Sequence, residues 1–425
     1  MTLPTPGQTF EVTAERLAFG GFAIARHDGV AIFIPFAAPG DRLQIEIVAV
    51  EKKFVRAKIL AILAPGPGRI EPRCVHYQEC GGCQFQHVDY ATQVAAKAEF
   101  LRDALQRTGG FEWPQAVVVH HAEPWAYRVR TQLKLQANSG LRSDADQAKL
   151  PKKQRKASLA AETAIATDAD TNQRPRLGFH RAFTNDVIDV QHCPVLAPEL
   201  EQGLPAVRDA IAQLPKRDWP YQIDGACGTG GASWAPDLPG IRKDLVEHQV
   251  SGFRYLIEPE SFFQGNRHLV GELVAGAIGA ERGQLAFDLY AGVGLFSLPL
   301  SQRFDRVVSV EDERRAATLG RVNVKTNGCD HVTYLRATTE QFLRETKERP
   351  DLVLMDPPRL GAKPALPLLL KLQAPRLVYV SCDPQTLARD LRQLVDGGYR
   401  IEQVEGYDMF PQTYHLECVA RLALR

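Results

Sequence analysis

The sequence carries almost no net charge: 51 Lys and Arg face 50 Asp and Glu, leaving +1 over 425 residues. That excludes a uniformly basic coating protein, so a nucleic-acid partner has to be held by local patches. No apolar run approaches the ~20 residues that span a bilayer. The start, Met1-Thr2-Leu3-Pro4-Thr5-Pro6-Gly7, lacks both the basic and the apolar part of a signal peptide. A cytoplasmic protein without membrane association is the expectation, and nothing calls for an obligate protein partner. Cysteine is sparse as well. Eight unevenly spaced residues make a poor disulfide framework and favour metal or catalytic roles. The 44% hydrophobic and 24% charged residues are ordinary for a globular chain, and the length is too great for one compact core.

What is present divides the chain into three expected domains. Residues 1–64 read as short strands, among them Phe10-Glu11-Val12, Ala31-Ile32-Phe33-Ile34 and the alternating Leu43-Gln44-Ile45-Glu46-Ile47-Val48. Gly20-Gly21, Asp28-Gly29 and Pro39-Gly40 supply turns, and a small β-barrel of oligonucleotide-binding type fits. Pro65-Gly66-Pro67-Gly68 closes it as a linker. Residues 65–250 form a central domain with a cysteine-rich turn and a helical pattern from about Tyr90 to Thr108 that stops at Gly109-Gly110. Between about 137 and 174 apolar periodicity vanishes and the run Lys152-Lys153-Gln154-Arg155-Lys156 appears, so a flexible insertion is expected. Residues 251–425 repeat strand–turn–helix: Gln284–Leu289, Val307–Val310, Leu352–Met355 and Arg376–Val380 are apolar strands separated by helical stretches. That is the pattern of an α/β doubly wound, mainly parallel sheet, whose ligands sit beyond the strands' carboxyl ends.

Those ends carry the chemistry-bearing residues. Asp288-Leu289-Tyr290-Ala291-Gly292-Val293-Gly294 offers two glycines for close backbone approach but lacks the third of the dinucleotide fingerprint, which weakens a nicotinamide or flavin reading. Glu311 ends the next strand, placed for ribose hydroxyls. Asp356-Pro357-Pro358-Arg359 follows a third strand, and Ser261-Phe262-Phe263-Gln264-Gly265-Asn266 lies upstream. Tyr379-Val380-Ser381-Cys382-Asp383-Pro384 puts a cysteine between a strand and a helix start, a position that favours its thiolate. Glu417 in Tyr414-His415-Leu416-Glu417-Cys418-Val419 is a candidate general base, with His415 left outside the catalytic set.

Cys74, Cys80 and Cys83, with Gly81-Gly82 allowing a tight wrap, form a metal-binding signal. A fourth ligand has to come from elsewhere. Cys193, before Pro194, suits an iron–sulfur site, while structural zinc with His76, His87 or His192 is the physical rival. Cys227, Cys329 and Cys418 read as buried small apolar residues.

With these motifs the whole chain resembles the RNA 5-methyluridine methyltransferases, most closely members acting on 23S ribosomal RNA that carry an N-terminal TRAM domain. The resemblance implies a Rossmann-like methyltransferase domain behind an oligonucleotide-binding-like TRAM barrel and a central α+β domain. It implies that Gln264, Tyr290, Glu311 and Asp356 contact S-adenosylmethionine, that Cys382 is the nucleophile and Glu417 the base. It also implies that Cys74, Cys80, Cys83 and Cys193 hold a 4Fe–4S cluster, which methyl transfer does not need for electron flow. This chain departs from the family pattern at Leu295, where some members carry asparagine, and at Thr338, where an acidic or amide residue is usual.

RNA contact is expected from Lys52-Lys53-Phe54-Val55-Arg56-Ala57-Lys58 on the barrel and from Arg128 and Arg130 in the central domain. Three rival readings share parts of this pattern. One is a transfer-RNA 5-methyluridine enzyme. Another is a catalytically inactive iron–sulfur RNA-binding module, and the third an exocyclic-amine methyltransferase, whose motif would end in an aromatic where this chain has Arg359.

Overall fold

The computed structural model describes residues 3–137 and 175–425; the insertion expected at about 137–174, with its basic run, lies almost wholly outside the described residues. Strands β1 (Thr9–Thr13), β2 (Arg16–Ala18), β3 (Phe22–His27), β4 (Val30–Pro35), β5 (Arg42–Val50) and β6 (Phe54–Ala64) make one sheet in the order β1-β5-β6-β4-β3-β2. Alternation drives it. In β4, Val30, Ile32 and Ile34 are buried, whereas Ala31, Phe33 and Pro35 keep part of their surface. Leu43, Ile45, Ile47 and Val55 join them inside, so the sheet curls around its own core as the expected barrel. The linker is fastened to it. The Asp41 carboxylate accepts from Gly66 N at 2.8 Å and from the Arg69 guanidinium at 2.6 Å. A Cβ on Gly66 would lie 2.1 Å from the Pro39 carbonyl oxygen, so glycine is required at this close approach.

Helix α1 (Tyr90–Asp103) starts where the Asp89 carboxylate caps Thr92 N at 2.9 Å. It ends in a π-helical turn, Ala104–Thr108, before Gly109, matching the expected span. Its buried face carries a charge: Lys97 is fully enclosed and donates to Asp408 at 2.5 Å and to the Phe410 carbonyl at 3.0 Å. Breaking such a pair strands a buried ion. Lys97→Met is expected to destabilise the fold by about 3–5 kcal/mol, seen as a lower urea midpoint. Pairing it with Asp408→Leu should recover part of the loss.

After β7 (Val119–His120), the central sheet is assembled from β8 (Arg130–Gln136), β9 (Arg176–His180), β10 (Val187–Asp189), β11 (Gln222–Gly228) and β12 (Gly231–Ala235), in the antiparallel order β10-β9-β8-β11-β12. Helix α2 (Pro198–Ala212) presses Leu200, Leu204, Val207 and Ile211 against its Leu133, Ile223 and Trp234. A hairpin, β13 (Val246–Val250) and β14 (Phe253–Ile257), leads onward.

The remaining elements are α3 (Val270–Ile278), β15 (Gly283–Leu289), α4 (Ser297–Leu300), β16 (Phe304–Glu311), α5 (Arg314–Thr326), β17 (Val332–Arg336), α6 (Thr339–Glu345), β18 (Leu352–Met355), α7 (Leu366–Leu372), β19 (Arg376–Ser381), α8 (Pro384–Asp396), β20 (Tyr399–Tyr407) and β21 (Glu417–Leu424). Their sheet runs β17-β16-β15-β18-β19-β21-β20-β7. The first five strands are parallel, as expected from their unbroken apolar runs; Leu352, Val353, Leu354 and Met355 are all fully buried, feeding cores on both faces. Strand order reverses between β15 and β18, which opens a crevice at their carboxyl ends. The far edge is less predictable: β21 and β20 enter antiparallel, and β7, from the N-terminal half, completes the sheet. Among the described residues no helix is long and apolar enough to cross a membrane.

Candidate active site

The Gly-rich loop after β15 turns at the switch point. Tyr290, Gly292 and Gly294 all adopt positive φ, at 60°, 55° and 96°. Glu311, at the end of the neighbouring β16, accepts from Gly292 N and from Glu313 N, both at 2.8 Å. The acid therefore fixes the loop through both of its oxygens. The Tyr334 hydroxyl donates to the Gly292 carbonyl from the other side. Beneath the loop Asp288 is wholly buried; Ser297 Oγ donates to its Oδ2 at 2.5 Å, while Oδ1 has no partner. Burial pushes Asp288 up to about 7, with the nearby Asp356 and Glu311 charges adding to it. Burial also raises Glu311, against the two backbone donors. Asp356 keeps part of its surface open, yet burial of its carboxyl pushes it up to about 7 as well.

Gln264 comes from a separate segment clamped between two others. Val129 N donates to the Gly265 carbonyl at 2.9 Å, and Asn266 Nδ2 reaches the Met409 carbonyl at 3.3 Å. Gln264 is only 3% exposed, and its Oε1 has no hydrogen-bond partner. The two departures noted in the sequence have local reasons. Leu295 is part of the core. Thr338 caps α6, its hydroxyl accepting from Gln341 N at 3.1 Å while the Gln341 side chain accepts from Thr338 N.

Cys382 and Glu417 meet by strand register. Ser381 at the end of β19 pairs with Cys418 of β21, so one step further the antiparallel ladder sets Cys382 opposite Glu417. Glu417 is 2% exposed, and burial together with the Asp356 charge pushes it well above the usual carboxylate range. Burial and the Glu417 charge push the Cys382 thiol up to about 12. The helix start does not supply the thiolate preference expected of it. The Asp383 carboxylate occupies that end, accepting from Gln385 N and Thr386 N at 2.9 Å, and its charge raises the thiol further. The cation that opposes both shifts is Arg359 of Asp356-Pro357-Pro358-Arg359, a role its sequence position did not announce.

Sequence reasoning also missed what holds the loop before Glu417. Gln84 N and Phe85 N both donate to the Gln412 carbonyl at 2.9 Å. The Gln412 side chain and backbone exchange two 3.0 Å bonds with Gln93 of α1.

Gln84 directly follows the cysteine turn. Cys74, Cys80, Cys83 and Cys193 line one cavity, with Tyr77, Gln86, Tyr127 and Arg128 around them. None of His76, His87 and His192 does so: His87 Nδ1 bonds the Tyr77 hydroxyl and His192 pairs with Glu201 at 2.5 Å. Among the described residues, no three His, Cys, Asp or Glu side chains converge closely enough to hold a single metal ion. Cys227, Cys329 and Cys418 are buried, as expected.

Comparison with known proteins decides the family. The model of the "tRNA (Uracil-5-)-methyltransferase" family matches residues 241–424, and that of the TRAM domain residues 4–60. The 23S rRNA (uracil(1939)-C(5))-methyltransferase RlmD of Pectobacterium atrosepticum is 30% identical, covering 98% of this chain and 94% of that protein. The chain belongs to the RNA uracil-5-methyltransferases. An uncharacterized RNA methyltransferase of Gloeobacter violaceus is similar to the same degree, 30% over 98% of the chain and 96% of its own length. The Pyrococcus abyssi tRNA (uracil-54, C5)-methyltransferase, solved with S-adenosyl-L-homocysteine, shares the fold: its TM-score is 0.70 at 24% identity, over 97% of this chain and 100% of that one. Membership makes this chain an enzyme that methylates carbon 5 of uracil in RNA, with S-adenosylmethionine as methyl donor, and makes its barrel a TRAM domain.

Proposed function

We propose that this methyltransferase modifies a uridine of 23S ribosomal RNA through a covalent bond between Cys382 and carbon 6. The register that sets Cys382 opposite Glu417 carries the reading. The choice of RNA is supported by RlmD relatives that match nearly end to end. Cys382 Sγ adds to carbon 6 and makes carbon 5 nucleophilic. S-adenosylmethionine supplies the electrophilic methyl group when bound. Glu417 then takes the carbon 5 proton, the double bond re-forms, and the Cys382 thiolate leaves. Arg359 offsets the negative charge that the thiolate and carboxylate bring to one pocket.

Gln264, Tyr290, Glu311 and Asp356 would hold the donor. An unpartnered buried amide oxygen on Gln264 and a cluster of carboxyls suit a ligand with ammonium and sulfonium charges. The acids must ionise to serve it. Affinity for S-adenosylmethionine should therefore rise from pH 6 to 7.5, by up to about tenfold per pH unit for each linked group. S-adenosylhomocysteine, the co-product with a neutral sulfur, should show a weaker rise; calorimetric titrations of both ligands check this.

Cys74, Cys80, Cys83 and Cys193 would hold a 4Fe–4S cluster, supported by four thiols lining one cavity. Its part is structural, tying the Cys193 segment to the cysteine turn. Anaerobic reconstitution should give iron, sulfide and a broad visible absorbance, all lost in Cys83→Ser. The substrate test is labelled S-adenosylmethionine with 23S and transfer RNA from a strain lacking the protein. Methyluridine only in transfer RNA would move the target there, and none in either would sink the proposal.

A further inference from the structure

Alternation in the TRAM barrel ought to send apolar side chains inward and polar ones out, and on one face it does not. Phe33 of β4 pairs with Ile24 of β3 on one side and Arg56 of β6 on the other, and Ala31 pairs with Phe54. Phe22, Phe33, Phe54, Arg56 and Lys58 therefore share the outer face. Their neighbours Ala23, Ile32, Ile34, Val55 and Ala57 point inward and are at most 2% exposed. The outer rings form a run. Phe22 and Phe33 meet edge-on at 6.1 Å, Phe33 and Phe54 at 4.8 Å, and the Arg56 guanidinium sits 5.9 Å from the Phe22 ring.

A fourth ring comes from the central domain. Phe183, in the turn between β9 and β10, is 74% exposed, with φ at 63°, a conformation bulky side chains seldom adopt. Its ring stacks on Phe22 at 6.5 Å and 25°. The cysteine turn holds this hairpin in place: Gly81 N donates to the His180 carbonyl at 3.0 Å and Ala182 N to the Glu79 carbonyl at 2.7 Å. The run starts beside the catalytic loop. A Cβ on Gly21, the residue before Phe22, would lie 3.3 Å from the Tyr414 ring, and Glu417 follows shortly after Tyr414.

We propose that Phe22, Phe33, Phe54 and Phe183, with Arg56, form a stacking platform for unpaired bases flanking the target uridine, built jointly by the barrel and the central domain. This rests on the reading of the chain as an RNA methyltransferase. Rings on a wet face bind any base through its π surface. Lys52 and Lys53 are exposed in the turn leading into this face, and the exposed Arg56 and Lys58 on it pair with Glu51 at 3.8 Å and Glu46 at 3.0 Å, contacts that phosphates would compete for. Stacking needs bases freed from a helix, as they are around a uridine drawn out for chemistry.

The test is fluorescence anisotropy with a labelled ten-nucleotide unpaired RNA and, beside it, a fully paired RNA duplex. Phe183→Ala, an exposed position whose truncation leaves no cavity, should weaken binding of the unpaired RNA about tenfold and leave the duplex unchanged. Phe183→Trp should restore the affinity. Arg56→Gln should reduce the slope of log affinity against log salt by roughly 0.7. Wild-type affinity for the unpaired RNA in both Phe183→Ala and Phe22→Ala would overturn the platform, and so would an equal loss on the duplex. Unchanged RNA binding with a lost dimer in sedimentation would overturn it too and assign the face to a second copy of the chain. A wild-type protein that binds through Phe183 but methylates no RNA would break the functional reading and keep this one.

Discussion

A Cys382→Ala variant should transfer no methyl group: kcat/KM is expected to fall by at least about ten-thousandfold, with S-adenosylmethionine still bound. Carbon 5 of uracil reacts only after something has added at carbon 6. Among the described residues Cys382 is the thiol that register places against an acid at the open end of the sheet. Wild-type protein mixed with 5-fluorouridine RNA should give an adduct that survives denaturing electrophoresis, because fluorine cannot leave as a proton. Cys382→Ala should give none. Methylation by this variant at even a hundredth of the wild-type rate would remove the thiol from the mechanism. The pH profile carries a second sign. Burial and the Glu417 charge hold the thiol far above neutral pH, so the thiolate is the minor form at pH 7 and the rate should climb as pH rises from 6 to 9. Arg359→Gln removes the opposing cation and should slow the reaction across that range.

Glu417→Gln is expected to leave addition possible and stop release. Ordinary uridine RNA should then accumulate as a methylated covalent complex, with turnover lower by about 10²–10⁴-fold. Single-turnover labelling followed on a denaturing gel would show methyl incorporated into a band of protein plus RNA. Free methylated RNA at the wild-type rate would assign the proton to another group. The substitution also has a stability consequence. Glu417 has a folded pKa raised above its unfolded value, so the folded state holds its proton longer. Its contribution is complete below about 4.3 and is lost as pH rises through the folded value. Melting temperature should thus decline with rising pH in the wild type and decline less in Glu417→Gln.

The local setting of Cys382, the proposed nucleophile, was legible in the sequence. An apolar run ending in Ser381-Cys382-Asp383-Pro384 is a strand end and a helix start, and α8 does begin at Pro384. The parallel strands were equally legible, since burial on both faces leaves unbroken apolar runs. What escaped was set by long-range pairing. Nothing in the composition of Glu417–Leu424 says that it inserts antiparallel beside β19, yet that insertion creates the pair with Cys382. The helix-start argument failed for a similar reason: Asp383 was visible, but its capping of Gln385 and Thr386 turns a favourable end into an unfavourable charge. Thr338 looked like a missing cofactor contact and turns out to be a capping residue.

The Lys97–Asp408 pair joins residues 311 positions apart. At about 5–20 residues per second, a ribosome that has just made α1 needs roughly 15–60 seconds to deliver the aspartate. For that interval α1 cannot pair its lysine with Asp408, Gln93 has no Gln412 to bond, and β7 has no strand to join. The N-terminal half of this enzyme is therefore translated before the partners that complete its packing, all of which lie in the last few dozen residues.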